Sequence, residues 1–372
     1  MTLPRLALLL DYPEEGWVSM DLTAEMLWRG LVEGHAGQLT AERVCPPFRP
    51  RLTRLPVLGR RRIAFNADRA LNRHWDYLRY ARGRVADFDL FHVCDHSYAQ
   101  LVHALPPKRT GVYCHDLDAF LSVLEPQREP RPRWFRALAR RTLRGMQKAA
   151  LVFHNSLDTG RRIRQYGLVE PSRLVYAPLG VAAEFGPESN GQATGIDGPY
   201  LLHVGSCVRR KRIDVLFDIF AALRRRFPGL RLVKVGSAFS DAQRAQIDRL
   251  GLAPDLVALH GLKRGHIAAL YRGAAAVLLP SEAEGFGLPL IESLACGAPI
   301  VASDIPVLRE VGGDAATYCP MGDVPAWVEQ VSRLLTDPAV APPLAQRLSR
   351  AAPYTWATHA QTIAAAYLRL LA

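Results

Sequence analysis

Long apolar runs and paired cysteines are both absent from this sequence of 372 residues. No stretch approaches the roughly 20 apolar residues that a membrane-spanning helix needs. The first apolar run, residues 6–10, is too short for a signal peptide and is followed at once by Asp11. The six cysteines are scattered, without the spacing of a metal site or a disulfide framework, which favours a reduced, cytoplasmic protein.

The sequence also lacks the fingerprints of two other classes of protein. A nicotinamide oxidoreductase needs G-x-G-x-x-G after its first strand, and neither "LLLDYPEEGW" nor "HVGSCVRRKR" supplies it. A nucleic-acid-binding protein would be compatible with the net charge of +12. It should, however, interleave basic residues with base-stacking aromatics or contain a known module, and neither is found. We therefore expect no nucleic acid partner.

Positive charge is concentrated in the first half of the chain. Residues 1–185 hold 28 Lys and Arg against 19 Asp and Glu, whereas the remainder holds 19 against 16. Ten arginines fall within residues 51–84 and eight cations within residues 125–148. Basic stripes attract phosphates in nucleic acid, anionic lipid or a diphosphate-linked acceptor, and a solvated helix face is the competing interpretation. The run "RRRIAFNADRALNRHWDYLRYAR" predicts a basic amphipathic helix, through which residues 51–84 would meet an anionic membrane surface.

Short apolar runs alternate with longer amphipathic stretches, which is typical of parallel strands joined by helices. A segment rich in proline and glycine, residues 175–199, interrupts this rhythm, and we predict an α/β fold of two doubly wound domains on either side of it. The predicted organisation is an N-terminal domain (1–182), a linker (183–198), a C-terminal domain (199–354) and a final helix (355–372). The predicted strands are 5–10, 90–94, 111–114, 150–153, 200–204, 231–235, 256–259, 275–279 and 299–302.

The stretch "SEAEGFGLPLIESLACG" (281–297) carries the clearest chemical signal. A glycine loop joins a buried strand to the helix "LPLIESLA", so unpaired N–H groups at the start of that helix are predicted to bind an anion. Glu284 lies before the helix and Glu292 about one turn inside it. Two carboxylates would repel a phosphate, and we expect them to accept hydrogen bonds from hydroxyl groups on either side of it. The ligand with this chemistry is a nucleotide diphosphate sugar.

A second basic cluster opens the C-terminal domain. The run "LLHVGSCVRRKRIDVLFDIF" predicts a strand, a glycine turn and an amphipathic helix, with Arg210 and Lys211 at the turn. Two cations beside a glycine loop can neutralise a diphosphate, including the charge that grows on it as the sugar leaves. Four cations beside the positive end of a helix are unfavourable without an anion, which favours this interpretation over a solvated patch.

The stretch "PSEAEGFGLPLIESLACGAPIVASDIPVLREVGGDAATY" (280–318) resembles the signature of the retaining glycosyltransferases of family 4. Their pattern is a glutamate, seven residues and a second glutamate. The resemblance is specific over about residues 200–325 and looser elsewhere. It implies the GT-B fold, in which two Rossmann-like domains face a central cleft. The first domain would bind the acceptor and the second the nucleotide sugar, with the C-terminal helix crossing back to the first.

The resemblance also implies roles for individual residues. Glu284 would contact hydroxyls of the transferred sugar and Glu292 the ribose, while Arg210 and Lys211 support the diphosphate. Many members have arginine where this chain has Ser206, and Arg210 would supply the missing charge. The catalytic candidates are Glu284, His115, Arg210 and Lys211. The donor-binding candidates are Gly205, Ser206, Gly236, Leu262, Gly285, Phe286, Gly287, Leu288 and Glu292.

The N-terminal domain supplies candidates at the ends of its strands. His115 follows the strand in "GVYCHDLDAF", where family relatives place a histidine against the transferred sugar; a core histidine is the alternative interpretation. Asp95 and His96 follow another strand and are candidates for the acceptor side. The family's glycine-rich first loop is reduced here to Gly16, followed by Trp17. Trp17 would either stack on a sugar or serve as a core or surface aromatic.

The reaction that the resemblance implies is retaining transfer of a hexosyl group, mannosyl or glucosyl, from a GDP- or UDP-linked sugar. The acceptor would be a glycan or a lipid-linked molecule in cell-envelope polysaccharide or glycolipid synthesis. We expect no metal and no cofactor, because Arg210, Lys211 and the helix end neutralise the diphosphate. The expected location is the cytoplasm, with peripheral attachment to the inner face of the membrane. A catalytically inactive nucleotide-sugar-binding protein is the alternative that the sequence leaves open.

Overall fold

The computed structural model describes residues 3–56, 62–188 and 191–371. The chain forms two compact units: unit 1 comprises Met1–Leu179 and Trp356–Ala372, and unit 2 comprises Gly180–Thr355. The predicted linker, 183–198, therefore lies in unit 2, except that residues 189–190 lie outside the described part. Among the described residues, no helix has both the length and the apolar character to cross a bilayer.

Unit 1 contains one parallel sheet of six strands in the order β2-β1-β3-β4-β5-β6. Its central strands are buried along their whole length, as expected for a parallel sheet covered by helices on both faces. The strands are β1 (Arg5–Leu9), β2 (Thr40–Val44), β3 (Leu90–Val93), β4 (Thr110–Cys114), β5 (Leu151–His154) and β6 (Leu174–Tyr176).

Helices of unit 1 connect these strands and bury one face each against the sheet or against one another. The predicted basic helix is present as two α-helices joined by a π-helical turn at Asn72–Asp76. Residues 60 and 61, the first two of this predicted helix, lie outside the described residues, as do residues 57–59. The helices are α1 (Val18–Gly34), α2 (Arg62–Leu71), α3 (Tyr77–Gly83), α4 (Leu121–Leu124), α5 (Arg133–Lys148) and α6 (Leu157–Gln165).

Unit 2 repeats this plan with a second parallel sheet, in the order β12-β11-β10-β7-β8-β9. Two doubly wound α/β sheets confirm the predicted fold class. The strands are β7 (Tyr200–Val204), β8 (Arg231–Val235), β9 (Leu256–Leu259), β10 (Ala276–Leu279), β11 (Ile300–Ser303) and β12 (Thr317–Cys319). The helices are α7 (Ile213–Arg226), α8 (Asp241–Leu250), α9 (Arg264–Gly273), α10 (Leu288–Ala295), α11 (Pro306–Gly312), α12 (Val324–Thr336) and α13 (Leu344–Ala351).

The final helix, α14 (Trp356–Leu371), belongs to unit 1, as predicted. The Tyr367 hydroxyl donates to the Phe91 carbonyl over 2.9 Å and lies 3.0 Å from Nδ1 of His92. A Cβ atom at Gly30 of α1 would lie 2.7 Å from Cβ of Ala360, so the close approach of α1 and α14 requires glycine there.

Strand order places one switch point in each sheet. The direction of winding reverses between β1 and β3 in unit 1 and between β7 and β10 in unit 2. Open α/β sheets bind ligands outside the carboxyl ends of the strands at such points. The segments that follow these four strands contain most of the candidate site residues.

Candidate functional site

The loops after β7 and β8 approach each other closely. Gly236 has φ +133°, and a Cβ atom there would lie 2.0 Å from the Gly205 carbonyl oxygen, so a side chain at this position would force the two loops apart. His203, on β7 below Gly205, is fully buried, and its Nδ1 lies 2.9 Å from the Leu278 carbonyl. Burial, followed by the positive charge of Lys211, lowers the pKa of His203 to about 4. This imidazole is therefore neutral at physiological pH and adds no positive charge to that of Lys211 and Arg210.

Glu284 is held between the two predicted cations. Its Oε1 accepts from Nζ of Lys211 at 2.5 Å and from the Ser281 hydroxyl at 2.7 Å, and its Oε2 lies 3.3 Å from Nη1 of Arg210. Arg210 also donates to the Ala283 carbonyl over 2.9 Å. Burial alone would raise the pKa of Glu284, but Lys211 and Arg210 lower it below the usual value. The carboxylate is therefore ionised, and the cluster carries one net positive charge.

The glycine loop before α10 presents backbone donors. Gly287, with φ +96°, is the N-cap of α10, which begins at Leu288. In the described part of the chain, the N–H groups of Phe286, Gly287 and Leu288 have no hydrogen-bond acceptor. The Phe286 ring is buried and packs edge-on against Tyr354, with centroids 5.6 Å apart, which fixes the loop. Gly285, next to it, is half-buried. Three unpaired donors and the start of a helix thus lie where the sequence predicts an anion site, and binding of an anion there stays a prediction.

Glu292 lies one turn inside α10 and has a different environment from Glu284. Its Oε2 accepts from the Tyr271 hydroxyl of α9 over 3.0 Å, and the residue is 9% exposed. Burial raises the pKa of Glu292 to about 7, against smaller lowering effects from Tyr271 and from the charge of Arg264. The raised pKa means that the buried surroundings of Glu292 disfavour its charged form. Ionising this carboxyl group therefore costs free energy unless a ligand supplies a compensating contact.

Two further donor-binding candidates lie in turns of unit 2. Ser206 directly follows Gly205 and is half-buried, and Leu262 is half-buried in the turn between β9 and α9. That turn contains Gly261 with φ +63°. Direct contacts thus unite Arg210, Lys211 and Glu284, whereas Ser206 and Leu262 stay candidates by position alone.

In unit 1, four candidate or neighbouring groups meet after β3 and β4. His96 lies between two carboxylates: its Nδ1 is 3.1 Å from Asp95 and its Nε2 is 3.4 Å from Asp116. Burial would lower the pKa of His96, but nearby anionic groups raise it well above its usual value. His115 is buried, with Nε2 2.9 Å from the Cys94 carbonyl, and burial lowers its pKa. The His115 ring therefore already has a protein partner within unit 1, as a core histidine would.

The loop after β1 is fixed by Glu15. Its Oε1 forms an ion pair with Arg73, 2.8 Å from Nε, and accepts a hydrogen bond from the Tyr98 hydroxyl at 2.7 Å. Its Oε2 accepts from the indole N–H of Trp17 over 3.0 Å. Gly16 has φ +69° and ends the 3-10 turn at Pro13–Glu15, and the Trp17 ring is 47% exposed. This loop therefore presents Trp17 to solvent on an anchored backbone.

Sequence reasoning missed two polar groups of the site in unit 2. Ser281 and Tyr271 each donate to one of the two predicted glutamates. Ser281 lay within the quoted signature and could have been found as a hydroxyl three residues before Glu284. Tyr271 lies on a different helix, and only the fold brings it to Glu292. Among the described residues, no cluster of three or more His, Cys, Asp or Glu side chains is arranged to hold a metal ion.

Solved structures share this fold over nearly the whole chain. Sucrose-phosphate synthase from Thermosynechococcus elongatus superimposes with a TM-score of 0.77 and 19% identity, covering 99% of both chains. Anabaena HepE in complex with UDP and glucose superimposes with a TM-score of 0.72 and 16% identity, covering 98% of this chain and 99% of that one. At these identities the similarity establishes the fold alone.

Curated relatives are similar over part of their length. A D-inositol 3-phosphate glycosyltransferase of Actinosynnema mirum is 30% identical over 217 residues, which is 53% of this chain and 52% of the relative. The serotype-specific mannosyltransferase WbdA of Escherichia coli is 26% identical over 280 residues, which is 71% of this chain and 34% of the relative. The chain thus spans about half or less of the length of these relatives.

Two family models match consecutive parts of the chain. The model "Glycosyltransferase Family 4" matches residues 31–185, and "Glycosyl transferases group 1" matches residues 188–354. The second match contains the cationic turn, the glycine loop and both glutamates described above. The chain therefore belongs to the group 1, family 4 glycosyltransferases.

Proposed function

We propose that this protein transfers a hexosyl group from a nucleotide diphosphate sugar to an acceptor hydroxyl, with retention of configuration. The observation that carries the proposal is the contact of Glu284 with both Arg210 and Lys211 beside the free N–H groups before α10. This cluster lies at the carboxyl ends of β7 and β10, between which the direction of winding in unit 2 reverses. Its chemistry suits an anion flanked by hydroxyl groups.

The diphosphate would be held by charge and by backbone donors. Arg210 and Lys211 carry two positive charges and Glu284 carries one negative charge, so the net charge of this cluster attracts an anion. Lys211 is only 7% exposed, and a partly desolvated cation interacts more strongly with a phosphate than an exposed one does. The N–H groups of residues 286–288 add hydrogen bonds directed by the start of α10.

The two glutamates would bind the two sugars of the donor. Because Glu284 is ionised, it can accept hydrogen bonds from hydroxyls of the transferred sugar without first losing a proton. Glu292 would accept from the ribose hydroxyls, and the Tyr271 hydroxyl orients its carboxyl group. A hydroxyl donor replaces water as the partner of a buried carboxylate, so donor binding would also favour ionisation of Glu292.

The reaction breaks the bond between the anomeric carbon and the leaving phosphate oxygen. The acceptor oxygen forms the new bond on the same face, and its proton passes to that phosphate oxygen. Arg210, Lys211 and the N–H groups before α10 stabilise the charge that develops on the diphosphate. These groups act more strongly on the transition state than on the bound donor, and only such interactions accelerate the step.

The identity of donor and acceptor is the finer part of the proposal. The mannosyltransferase among the relatives supports a hexosyl donor, and we propose that the donor is a GDP- or UDP-linked hexose. The acceptor would be a glycan or a lipid-linked glycan at the cytoplasmic face of the membrane. Acceptor contacts are proposed for Asp95, His96, Gly16 and Trp17, and contact with the transferred sugar for His115. Membrane contact through residues 51–84 stays a prediction.

A ligand panel followed by a turnover assay tests the proposal. UDP-, GDP- and ADP-linked hexoses are screened by thermal shift, and the donor that binds is then followed by release of nucleotide and transfer to hydroxylated acceptors. Turnover separates an enzyme from an inactive binder. No stabilisation by any donor would refute the proposal.

Glu284→Gln tests the assigned role within the same assay. Removing the charge should reduce transfer roughly 100-fold, while nucleotide affinity changes less than tenfold, because the cations that hold the diphosphate remain. Glu282→Gln is the matched control, since its side chain is exposed and lies two residues before Glu284 in the same loop. Equal losses of transfer and of nucleotide affinity in Glu284→Gln would contradict the role given to Glu284.

A further inference from the structure

Helix α5 of unit 1 has a strongly cationic face. The helix contains six Arg and Lys residues and no acidic residue. At about 100° per residue, five of these cations fall within an arc of roughly 100°. The buried side chains of the helix, including Leu143 and Met146, lie on the opposite side. The five cations of the exposed face are Arg133, Arg140, Arg141, Arg144 and Lys148.

These cations have no acidic partner in the part of the chain that the structure describes. Among the described residues, none of the five takes part in an ion pair. Arg140 and Arg144, and Arg144 and Lys148, are like charges four residues apart, a spacing that destabilises a helix unless an anion is bound. Repulsion between these cations therefore destabilises the helix, and a bound anionic partner would relieve that repulsion.

A shallow cavity lies on this face. It has a volume of about 430 Å³ and is lined by His103, Ala137, Arg140, Arg141, Arg144 and Lys148. Nε2 of His103 lies 2.9 Å from the Arg141 carbonyl, which ties the helix to the neighbouring segment. Four cations around one cavity match the charge and the size of a phosphate-bearing headgroup.

Two aromatic side chains stand exposed at the first turn of α5. Trp134 is 64% exposed and Phe135 is 38% exposed, and their rings meet edge-on with centroids 5.9 Å apart. Exposed aromatics beside a basic helix face are typical of helices that lie at a membrane interface, where the rings enter the headgroup layer. Nucleic acid would explain the cations but would leave these paired rings without an apolar environment.

Many arginines of the basic stretch 51–84 form ion pairs within the protein. Four of its eight described arginines are in ion pairs, whereas residues 60 and 61 lie outside the described part. The partners are acidic side chains of the same unit. The ion pairs are Arg51 with Asp76, Arg69 and Arg73 with Glu15, and Arg84 with Glu42 and Asp87.

We propose that α5 docks this protein on an anionic phospholipid bilayer. Headgroup phosphates would occupy the cationic cavity, and Trp134 and Phe135 would enter the interface. The charge, the exposed aromatic rings and the cavity that support this docking all belong to unit 1, and none of them depends on transferase activity.

Vesicle sedimentation with two matched double variants tests this proposal. The wild-type protein should bind phosphatidylcholine vesicles that contain phosphatidylglycerol, should lose this binding as salt is raised, and should not bind pure phosphatidylcholine. Arg140→Gln with Arg144→Gln should weaken binding roughly 30-fold. Arg79→Gln with Arg82→Gln removes the same charge from exposed positions of α3 and should change it less than threefold. Trp134→Ser should weaken it roughly tenfold.

Three results would overturn the proposal. The first is equal weakening by both double variants, since the contact would then depend on net charge or on residues 51–84. The second is unchanged binding in Trp134→Ser, since no aromatic side chain would then enter the interface. The third is tighter binding to duplex DNA than to the anionic vesicles in the same buffer.

Discussion

Replacing Glu292 with glutamine distinguishes two effects of this residue: its destabilisation of the folded protein and its contribution to nucleotide affinity. The glutamine keeps the shape and can still accept the hydrogen bond from the Tyr271 hydroxyl, which joins Glu292 over 3.0 Å. It removes only the ability to become charged. Because burial raises the pKa of Glu292 from 4.5 to about 7, the native carboxyl group resists ionisation in the folded state.

The size and direction of the effect follow from linkage. Between pH 4.5 and pH 7 the folded protein keeps a proton on Glu292 that the unfolded chain has lost, so the free energy of unfolding falls as pH rises through this window. A rise of the pKa from 4.5 to about 7 lowers the free energy of unfolding by about 3 kcal/mol above pH 7. Below pH 4.5 the folded and unfolded chains both keep the proton, so the free energy of unfolding is unaffected. The glutamine variant should match the wild type at pH 4.5 and exceed its stability by up to about 3 kcal/mol at pH 8.

Amide hydrogen exchange in β10 is the appropriate measurement, because a protein with two units need not unfold in a single transition. The same variant should bind nucleotide roughly 10- to 100-fold less tightly at pH 8, since a charged acceptor for the ribose hydroxyls is lost. Glu329→Gln, on the exposed face of α12, should change neither property. Parallel pH profiles for wild type and Glu292→Gln would refute the linkage argument, and unchanged nucleotide affinity would refute the ribose contact.

Two further predictions concern the neighbouring turns. Lys211→Met should destabilise unit 2 by roughly 3 kcal/mol in the same exchange assay, because a buried Glu284 carboxylate loses its closest cation. Adding Glu284→Gln to that variant should restore most of the loss without restoring transfer, and additive losses would exclude direct coupling. Gly236→Ala should lower the melting temperature of unit 2, because its Cβ atom would lie 2.0 Å from the Gly205 carbonyl oxygen. Gly229→Ala is the control, because Gly229 has φ +83° but no atom lies within 4 Å of the position that its Cβ atom would take. This control should lower the free energy of unfolding by only about 1–2 kcal/mol. Equal lowering of the melting temperature by both variants would argue against the loop contact.

The strands that the sequence failed to predict lie at the edges of the sheets. The nine predicted strands are all present to within one residue at either end, whereas β2, β6 and β12 were missed. Each of these three is an edge strand. An edge strand is covered less completely, so "TAERV" in β2 has no continuous apolar run. A pattern search for buried runs therefore finds every inner strand of these two sheets but only one of their four edge strands, β9.

Local motifs of the site were predictable, but contacts between distant segments were not. Helix α10 was predicted with the bounds that the structure shows, because Pro289 and Gly297 mark its two ends. The anchoring of Glu15 by Arg73 joins positions 58 residues apart, and no spacing in the sequence indicates it. His115 was predicted to face a sugar, and that role stays a prediction. Within unit 1, the Cys94 carbonyl occupies its Nε2.

The place of α14 in the first unit has a consequence for biosynthesis. The pockets formed by Gly30 on α1 and Gly111 on β4 accept side chains of α14, which is made last of the described elements. About 190 residues separate Leu179 from the end of that helix. At 5–20 residues per second, the ribosome would need roughly ten to forty seconds to supply them. During that interval unit 1 of the nascent chain would lack α14 and would expose the apolar surface that this helix covers, so we expect a chaperone to protect it.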